Sequence, residues 1–377
     1  MNTDKIPFIV RLPLVLVSIL AIGYLLSIGQ IILAPLTFAM FTAIMFLPLA
    51  SFLEKKLHLS RVWSTMVSVL LLILVLSAIC YFFAYQLSDL VNDWPKLQKQ
   101  IEIVFHRVQI WFFHSFNLNL DEQMQYLKQG AEKLASTSGL IIGGTISIFS
   151  SSVFFFFLSI IFFMAVLNYR RILYKFITNV FTQRHIGKVE EIVSEIQIMV
   201  KHYLVGLVTQ IIIVFLLVSA FLTVMGVKYA ILLGAITGFL NVIPYIGISI
   251  SAIITLLISF ATGSSSSALM IVLGFLATHS IDANITLPFV IGSKVKINAL
   301  FSFLAILAGE ALWGISGMFL CIPVLGVLKI IFDRVEDLQP WGLLIGDDDV
   351  HRHRRKQKKS KKVLTETEPE ETEGQGQ

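Results

Sequence analysis

Two carboxylates, Asp282 in THSIDANITLP and Glu310 in LAILAGEALWG, stand in stretches that are otherwise largely apolar. A carboxylate at the centre of a membrane-spanning helix costs about 2.5–3.5 kcal/mol on insertion scales, so each must face a cavity, water or a polar partner rather than lipid. The chemistry open to such a group is reversible binding of a proton, a cation or a polar solute, which makes both candidate ion-coupling residues. His279 lies three positions before Asp282, with Thr278, Ser280 and Asn284 around it. A proton relay or a ligand site there competes with plain interhelical hydrogen bonding, and His279 counts as a proton carrier only beside Asp282. For Glu310 the simpler reading is a place at the apex of a hairpin, near water and not truly buried.

Other chemistries find no support. Cys80 and Cys321 both sit in apolar runs without a second Cys or a His at ligand spacing, so neither a disulfide nor a metal site is expected. The serines 264–267 follow Gly263 as a polar loop. An intramembrane enzyme would need a nucleophile with its base, an aspartyl pair or an HExxH helix, and none is visible. Lack of a GxxxxGK[ST] loop argues against ATP coupling within this chain; no cofactor is expected.

These residues must be held by membrane helices. The 377 residues are 56% hydrophobic and 14% charged, with a mean hydropathy of +0.82, whereas soluble domains carry about 25% charged residues. Apolar runs near residues 12–29, 31–50, 62–86, 146–168 and 203–226 are long enough for helical spans and lack strand alternation. The first follows Lys5 and Arg11 as a signal peptide would, but lacks a small-residue cleavage site, and is read as an uncleaved span. The net charge of +5 suggests nucleic acid at first sight. Its excess is concentrated in EKKLHLSR, NYRRILYK and HRHRRKQKKSKK, where positive charge fixes orientation. That places both termini in the cytoplasm of a multi-pass inner-membrane protein and makes nucleic acid a poor expectation as a partner.

The chain then divides into residues 1–86 (three spans), 87–145 (an extracytoplasmic amphipathic helical hairpin), 146–228 (fourth and fifth spans with a cytoplasmic amphipathic connector), 229–332 (an interrupted-helix transport core) and 333–377 (a cytoplasmic, largely disordered charged tail). The hairpin rests on Leu87, Leu90, Trp94, Leu97, Ile101, Val104, Val108 and Trp111, which step by three and four, with a second stripe from Met124 to Leu134. The connector carries Val189, Ile192, Ile196, Met199 and Tyr203 on one side and Glu190, Glu191 and Glu195 on the other. In the tail, Arg352, Arg354, Arg355 and Lys356 could touch anionic lipid headgroups, at about 1 kcal/mol per charge.

Residues 229–262 would make a helix about 51 Å long against a hydrocarbon core of about 30 Å. The segment must fold back or break, and NVIPYIG, residues 241–247, is where Pro244 and Gly247 allow it. A second long segment, from Asn298 to Ile331, is interrupted by GISG (314–317) and then by Pro323. Between them, residues 268–290 end in GSKVKIN, whose Lys294 and Lys296 favour the cytoplasm. Two interrupted segments approached from opposite faces are the pattern of an internally inverted transporter core; Pro-kinked packing helices are the alternative.

NVIPYIG, IDANITLPFVIG (281–292) and LAILAGEALWGISGMFLCIPVLGVLK (304–329), in this order and spacing, resemble the signature of the autoinducer-2 exporter family. The resemblance implies an all-α polytopic fold of about eight membrane segments, a homo-oligomer with a pentamer as one option, and export of a small molecule without ATP. Some family members have instead been assigned sodium/proton antiport. Asn241, Pro244, Tyr245 and Gly247 match the first motif, Asn284, Pro288 and Gly292 the second, and Gly309, Gly314, Gly317 and Pro323 the third; the resemblance implies substrate binding or gating at these positions. Asp282 stands where the family usually has Glu, and Glu310 where a small residue is expected. The resulting expectation is a secondary transporter exporting a small polar metabolite or signal, autoinducer-2-like, on an ion or substrate gradient. A sodium/proton antiporter using Asp282 or Glu310, and a scaffold binding a partner through residues 87–145, are the rivals.

Overall fold

A computed structural model describes residues 7–116, 151–243, 246–262, 268–286 and 297–346. They form α1 (Phe8–Ile28), α2 (Gln30–Lys56), α3 (Arg61–Phe116), α4 (Ser151–Val180), α5 (Ile186–Val224), α6 (Ala230–Leu240), α7 (Ile246–Ala261), α8 (Ala268–Ile281), α9 (Ala299–Arg334) and α10 (Gln339–Ile345). No named strand occurs among the described residues, where the backbone satisfies itself within helices, as a bilayer demands. Six of the helices are long and apolar enough to cross a membrane. This is an all-α, multi-pass membrane protein.

The first part of the 87–145 stripe is a direct continuation of the third span, because α3 runs unbroken for 56 residues through Pro95. The rest of that region lies outside the described residues. The tail expected from residue 333 begins with ordered structure: a 3-10 turn, Glu336–Leu338, leads into α10, whose Gly342 lies so close to Asp333 that a Cβ would strike its carboxylate. Residues 347–377, including the basic cluster, lie outside the described residues.

Helices gain little hydrophobic driving force against one another in lipid, so close backbone approach and hydrogen bonds must hold them. Ala39, Ala43 and Ala50 of α2 pack with Leu72, Phe163 and Leu167 of α3 and α4. The Ser64 hydroxyl donates to the Ala50 carbonyl at 2.8 Å. At the end of this layer Arg170 meets Glu54 at 2.6 Å, both side chains mostly buried.

α5 is the spine. Tyr203, Leu207, Gln210, Val214, Val218 and Leu222 fall three or four apart and are buried as one stripe. Its C-terminal half packs on α6, α7 and α8 through Val214, Val218, Leu222, Leu233, Ile248, Ile271 and Phe275. Its earlier turns pack on α2 and α9 through Met199, Val200, Tyr203, Phe41 and Leu320.

Both long C-terminal segments fold back. α6 and α7 form the first hairpin: a Cβ at Gly247 would overlap the Leu240 carbonyl, so glycine lets the turn close. Within α9 the backbone leaves helical geometry at Trp313 (φ −135°, ψ 15°) and Gly314 (φ 60°, ψ −140°). Gly309 and Gly317, on opposite sides of that turn, lie backbone to backbone: a Cβ on Gly309 would come 2.5 Å from the Gly317 carbonyl oxygen. The expected interruption at Pro323 is not seen. Pro323 is buried within a limb that stays helical around it, as packed membrane helices allow when neighbours and local adjustments satisfy the freed backbone groups.

The two hairpins start from opposite ends of α5. α6 begins just past its C-terminus, where the Val227 N–H donates to the Leu222 carbonyl. The end of α9 is tied to its first turns, where Arg334 pairs with Glu191 and with Glu195 (2.7 Å) and Lys188 with Glu336 (2.8 Å). The start of α9 lies at that same end, since the Asn298 N–H donates to the Ile345 carbonyl at 2.9 Å.

Candidate functional site

Where the first hairpin breaks, three helices deliver polar side chains to one point. Gln210 of α5 donates from Nε2 to both carboxylate oxygens of Asp282, at 3.1 Å each. Asn241, the residue that closes α6, donates from Nδ2 to Oδ2 at 2.9 Å. All three side chains are buried, with relative exposures of 5%, 7% and 7% for Gln210, Asn241 and Asp282. Counting helical rise from the α5–α6 end of the molecule, they lie about 16–21 Å deep, near the middle of a hydrocarbon core of about 30 Å.

Local structure explains the meeting. α6 ends after 11 residues because Pro244 follows, and the early stop places the Asn241 side chain at mid-depth rather than at a surface. α8 changes to a π-helical turn at Asp282–Thr286, a local rewinding that is frequent at functional sites. That turn keeps Thr278, Asp282 and Thr286 all buried.

Chemically, this is a buried carboxylate held by two neutral amides. Amide donors to a carboxylate form charge-assisted bonds and offset part of its desolvation. They bring no positive charge of their own. Such a site can exchange its partners for a proton, a cation or the donors of a polar solute, since either amide can rotate away without leaving a bare counter-charge behind.

The other expected site residues are placed as follows. His279 is exposed on another side of α8. Asn284 is exposed, its amide donating to the Ser280 carbonyl at 2.9 Å; neither residue joins the Asp282 cluster. Glu310 is exposed on the first limb of α9, close to the Trp313–Gly314 turn. Gly247, Gly309, Gly314 and Gly317 make the two folds. Pro244, Tyr245, Pro288 and Gly292, with Lys294 and Lys296, lie outside the described residues. Sequence reasoning missed Gln210. Its signal was present: a lone amide in QIIIVFLL, on the same three-and-four row as Tyr203, Val214 and Val218.

Two broken hairpins, entered from opposite ends of one long helix, with a buried carboxylate at the first break, define a polytopic membrane protein of transporter type. Residues 14–337 match the AI-2E family transporter, and the chain belongs to that family. It is 24% identical over 326 residues to the AI-2 transport protein TqsA of Escherichia coli K12, covering 84% of this chain and 90% of TqsA. It is 22% identical over 315 residues to the putative transport protein YhhT of the same strain, covering 84% and 88%. A more local match, 40% identical over 108 residues, joins 29% of this chain to 30% of the putative transport protein YrrI of Bacillus subtilis strain 168. The match thus spans under a third of YrrI.

Proposed function

We propose that the protein is a secondary transporter that exports a small polar metabolite or signal, of the autoinducer-2 kind, with the Gln210–Asn241–Asp282 cluster as the point where cargo or coupling ion is held. The observation that carries the reading is the clasp of a buried carboxylate by neutral amides from two other helices, at the break of a hairpin. A purely structural carboxylate at that depth is expensive, whereas an exchangeable one gives a solute or ion a place to bind. The resemblance to TqsA in length and sequence supports the cargo class. The reading is transport without catalysis, driven by a gradient of solute, proton or sodium, by a homo-oligomer in the cytoplasmic membrane with both chain ends inside.

Efflux from proteoliposomes loaded with candidate solutes, under imposed proton and sodium gradients, tests it. Asp282→Asn should lower gradient-driven efflux by about tenfold or more, which is about 1.4 kcal/mol or more of lost coupling. Wild-type protein that moves no small polar solute under any gradient would remove the export reading. The antiport reading has its own support in the same carboxylate. It predicts cation-dependent pH changes inside empty vesicles that vanish with Asp282→Asn, and vesicles showing none would dismiss it.

A further inference from the structure

The second break has a cleft of its own. The turn at Trp313–Gly314 lies against the α1–α2 junction, where the Trp313 indole N–H donates to the Leu26 carbonyl at 2.9 Å. Between that turn, the start of α2 and the start of α4 opens a cleft of about 480 Å³, with Gln30, Ser151, Ser316, Trp313, Phe154 and Phe155 on its walls. This falls within the range of roughly 300–1,000 Å³ typical of small-ligand sites.

Its lining is specific in kind. The remaining wall residues are Ile31, Ala34 and Pro35, so among the described residues no ionisable side chain faces the cleft. A charged ligand would lose hydration there without a counter-charge. One wall is aromatic and stiff: Phe155 packs against Phe38 and Phe156, with ring centroids 5.6 and 5.5 Å apart, and Phe38 in turn against Phe319. Trp313 is fixed by its bond to Leu26 and by the Ser316 hydroxyl, which donates to the Trp313 carbonyl at 2.8 Å. The Ser316 oxygen can still accept, Ser151 can do both, and Gln30 offers two donors and an acceptor. Aromatic faces beside hydroxyl and amide groups suit the apolar faces and hydroxyl rim of an uncharged ring.

We infer that this cleft is a second binding site, for a neutral, hydroxyl-bearing ring compound, placed at the break of α9 and chemically distinct from the anionic site at Asp282. The inference rests on the transport reading for its purpose, since a solute that docks against a hairpin turn can bias its position, but not for its measurement. With Trp63, Trp94, Trp111 and Trp341 replaced by Phe, Trp313 is the sole indole of the chain. D-ribose should then give a saturable change in its emission, weakened about tenfold or more by Gln30→Leu, whereas D-ribose 5-phosphate gives none at equal concentration. Binding of radiolabelled D-ribose to the unsubstituted protein, competed by myo-inositol but not by ribose 5-phosphate, checks the same point if the quadruple variant folds poorly. No saturable response to either neutral ring up to about 100 mM, or an equal response to the phosphate, overturns the inference. Asp282→Asn should leave the Trp313 response intact while lowering efflux. Efflux that depends on Asp282 without any ribose response removes the cleft alone, and a ribose response without efflux supports the cleft while removing the transport reading.

Discussion

At the first break the chain stops α6 at Leu240, delivers Asn241 to a carboxylate on a different helix, and restarts at Ile246. At the second, the limbs of α9 turn at Trp313–Gly314 and press Gly309 against Gly317, while the nearby carboxylate, Glu310, stays exposed. One break is a polar junction of three helices; the other is a glycine-to-glycine fold beside an aromatic cleft that, among the described residues, carries no ionisable side chain. The difference teaches that a carboxylate in an apolar stretch is not itself a site. Asp282 is a candidate because Gln210 and Asn241 reach it at mid-depth, and Glu310 is spared that burial by its place near a turn.

The largest effect should come from filling the closest contacts. Gly317→Leu drives a side chain into the Gly309 backbone, and Gly247→Leu does the same to Leu240. Overpacking a tight site costs about 1–3 kcal/mol and more where backbone blocks the way. Both variants should lose most of the monodisperse protein recovered after detergent extraction. Gly314→Ala meets open space but must adopt φ 60°, ψ −140°, a backbone conformation that favours glycine, at about 1–3 kcal/mol, so it should fold with a lowered melting temperature. A Gly317→Leu protein that melts like the wild type would mean that the two limbs of α9 do not abut.

The next largest effect separates the two carboxylates. Asp282→Leu strands two buried amide groups, each at about 1–3 kcal/mol, and should cost both stability and transport; Asp282→Asn keeps one acceptor and should lose transport chiefly. Glu310→Gln, on an exposed position, should stay within about 0.5 kcal/mol of wild type in stability and transport at a similar rate. The reverse ranking in efflux would move the coupling site to the second hairpin. Gln210→Leu should fall between, and a double-mutant cycle with Asp282→Asn should show a coupling of about 0.5–3 kcal/mol, as groups in one hydrogen-bonded network do.

Much of this was legible before any coordinates. Length against bilayer thickness required both folds, and NVIPYIG and GISG located them. Asp282 was singled out by the cost of its charge. The partners of Asp282 were harder to read. The sequence offered His279 and Asn284 as neighbours; a helix sends Asn284, two positions on, to another side, while the buried row runs in steps of four through Thr278, Asp282 and Thr286 and leaves His279 exposed beside it. Gln210 is 72 positions away in the chain, and only the packing of α5 against α8 brings it close. Pro323 misled for a related reason: composition marks where a helix can break, whereas neighbouring helices decide whether it does.

The smallest effect concerns how each hairpin is anchored at its outer end. α9 is anchored by Arg334, two-thirds buried, between Glu191 and Glu195. The first hairpin is anchored where Lys228 and the Tyr229 hydroxyl both donate to Asp93 of α3, at 2.5 Å each. The hydrogen bond to Asp93 raises the Lys228 pKa above its usual 10.5. A cation whose folded pKa is raised stabilises fully below the unfolded value and loses that contribution as pH rises through the folded one. The clasp should therefore be intact at neutral pH and weaken as pH rises above 10.5; because the same hydrogen bonds hold the Asp93 carboxyl below its usual 3.8, it also weakens in acid below that value. Because Lys228 is exposed, with half its side chain in contact with solvent, Lys228→Met should barely move the neutral-pH melting temperature and should remove part of the alkaline decline. A large loss of stability or transport for Lys228→Met at neutral pH would show that the first hairpin depends on its surface anchor more than on the buried junction at Asp282.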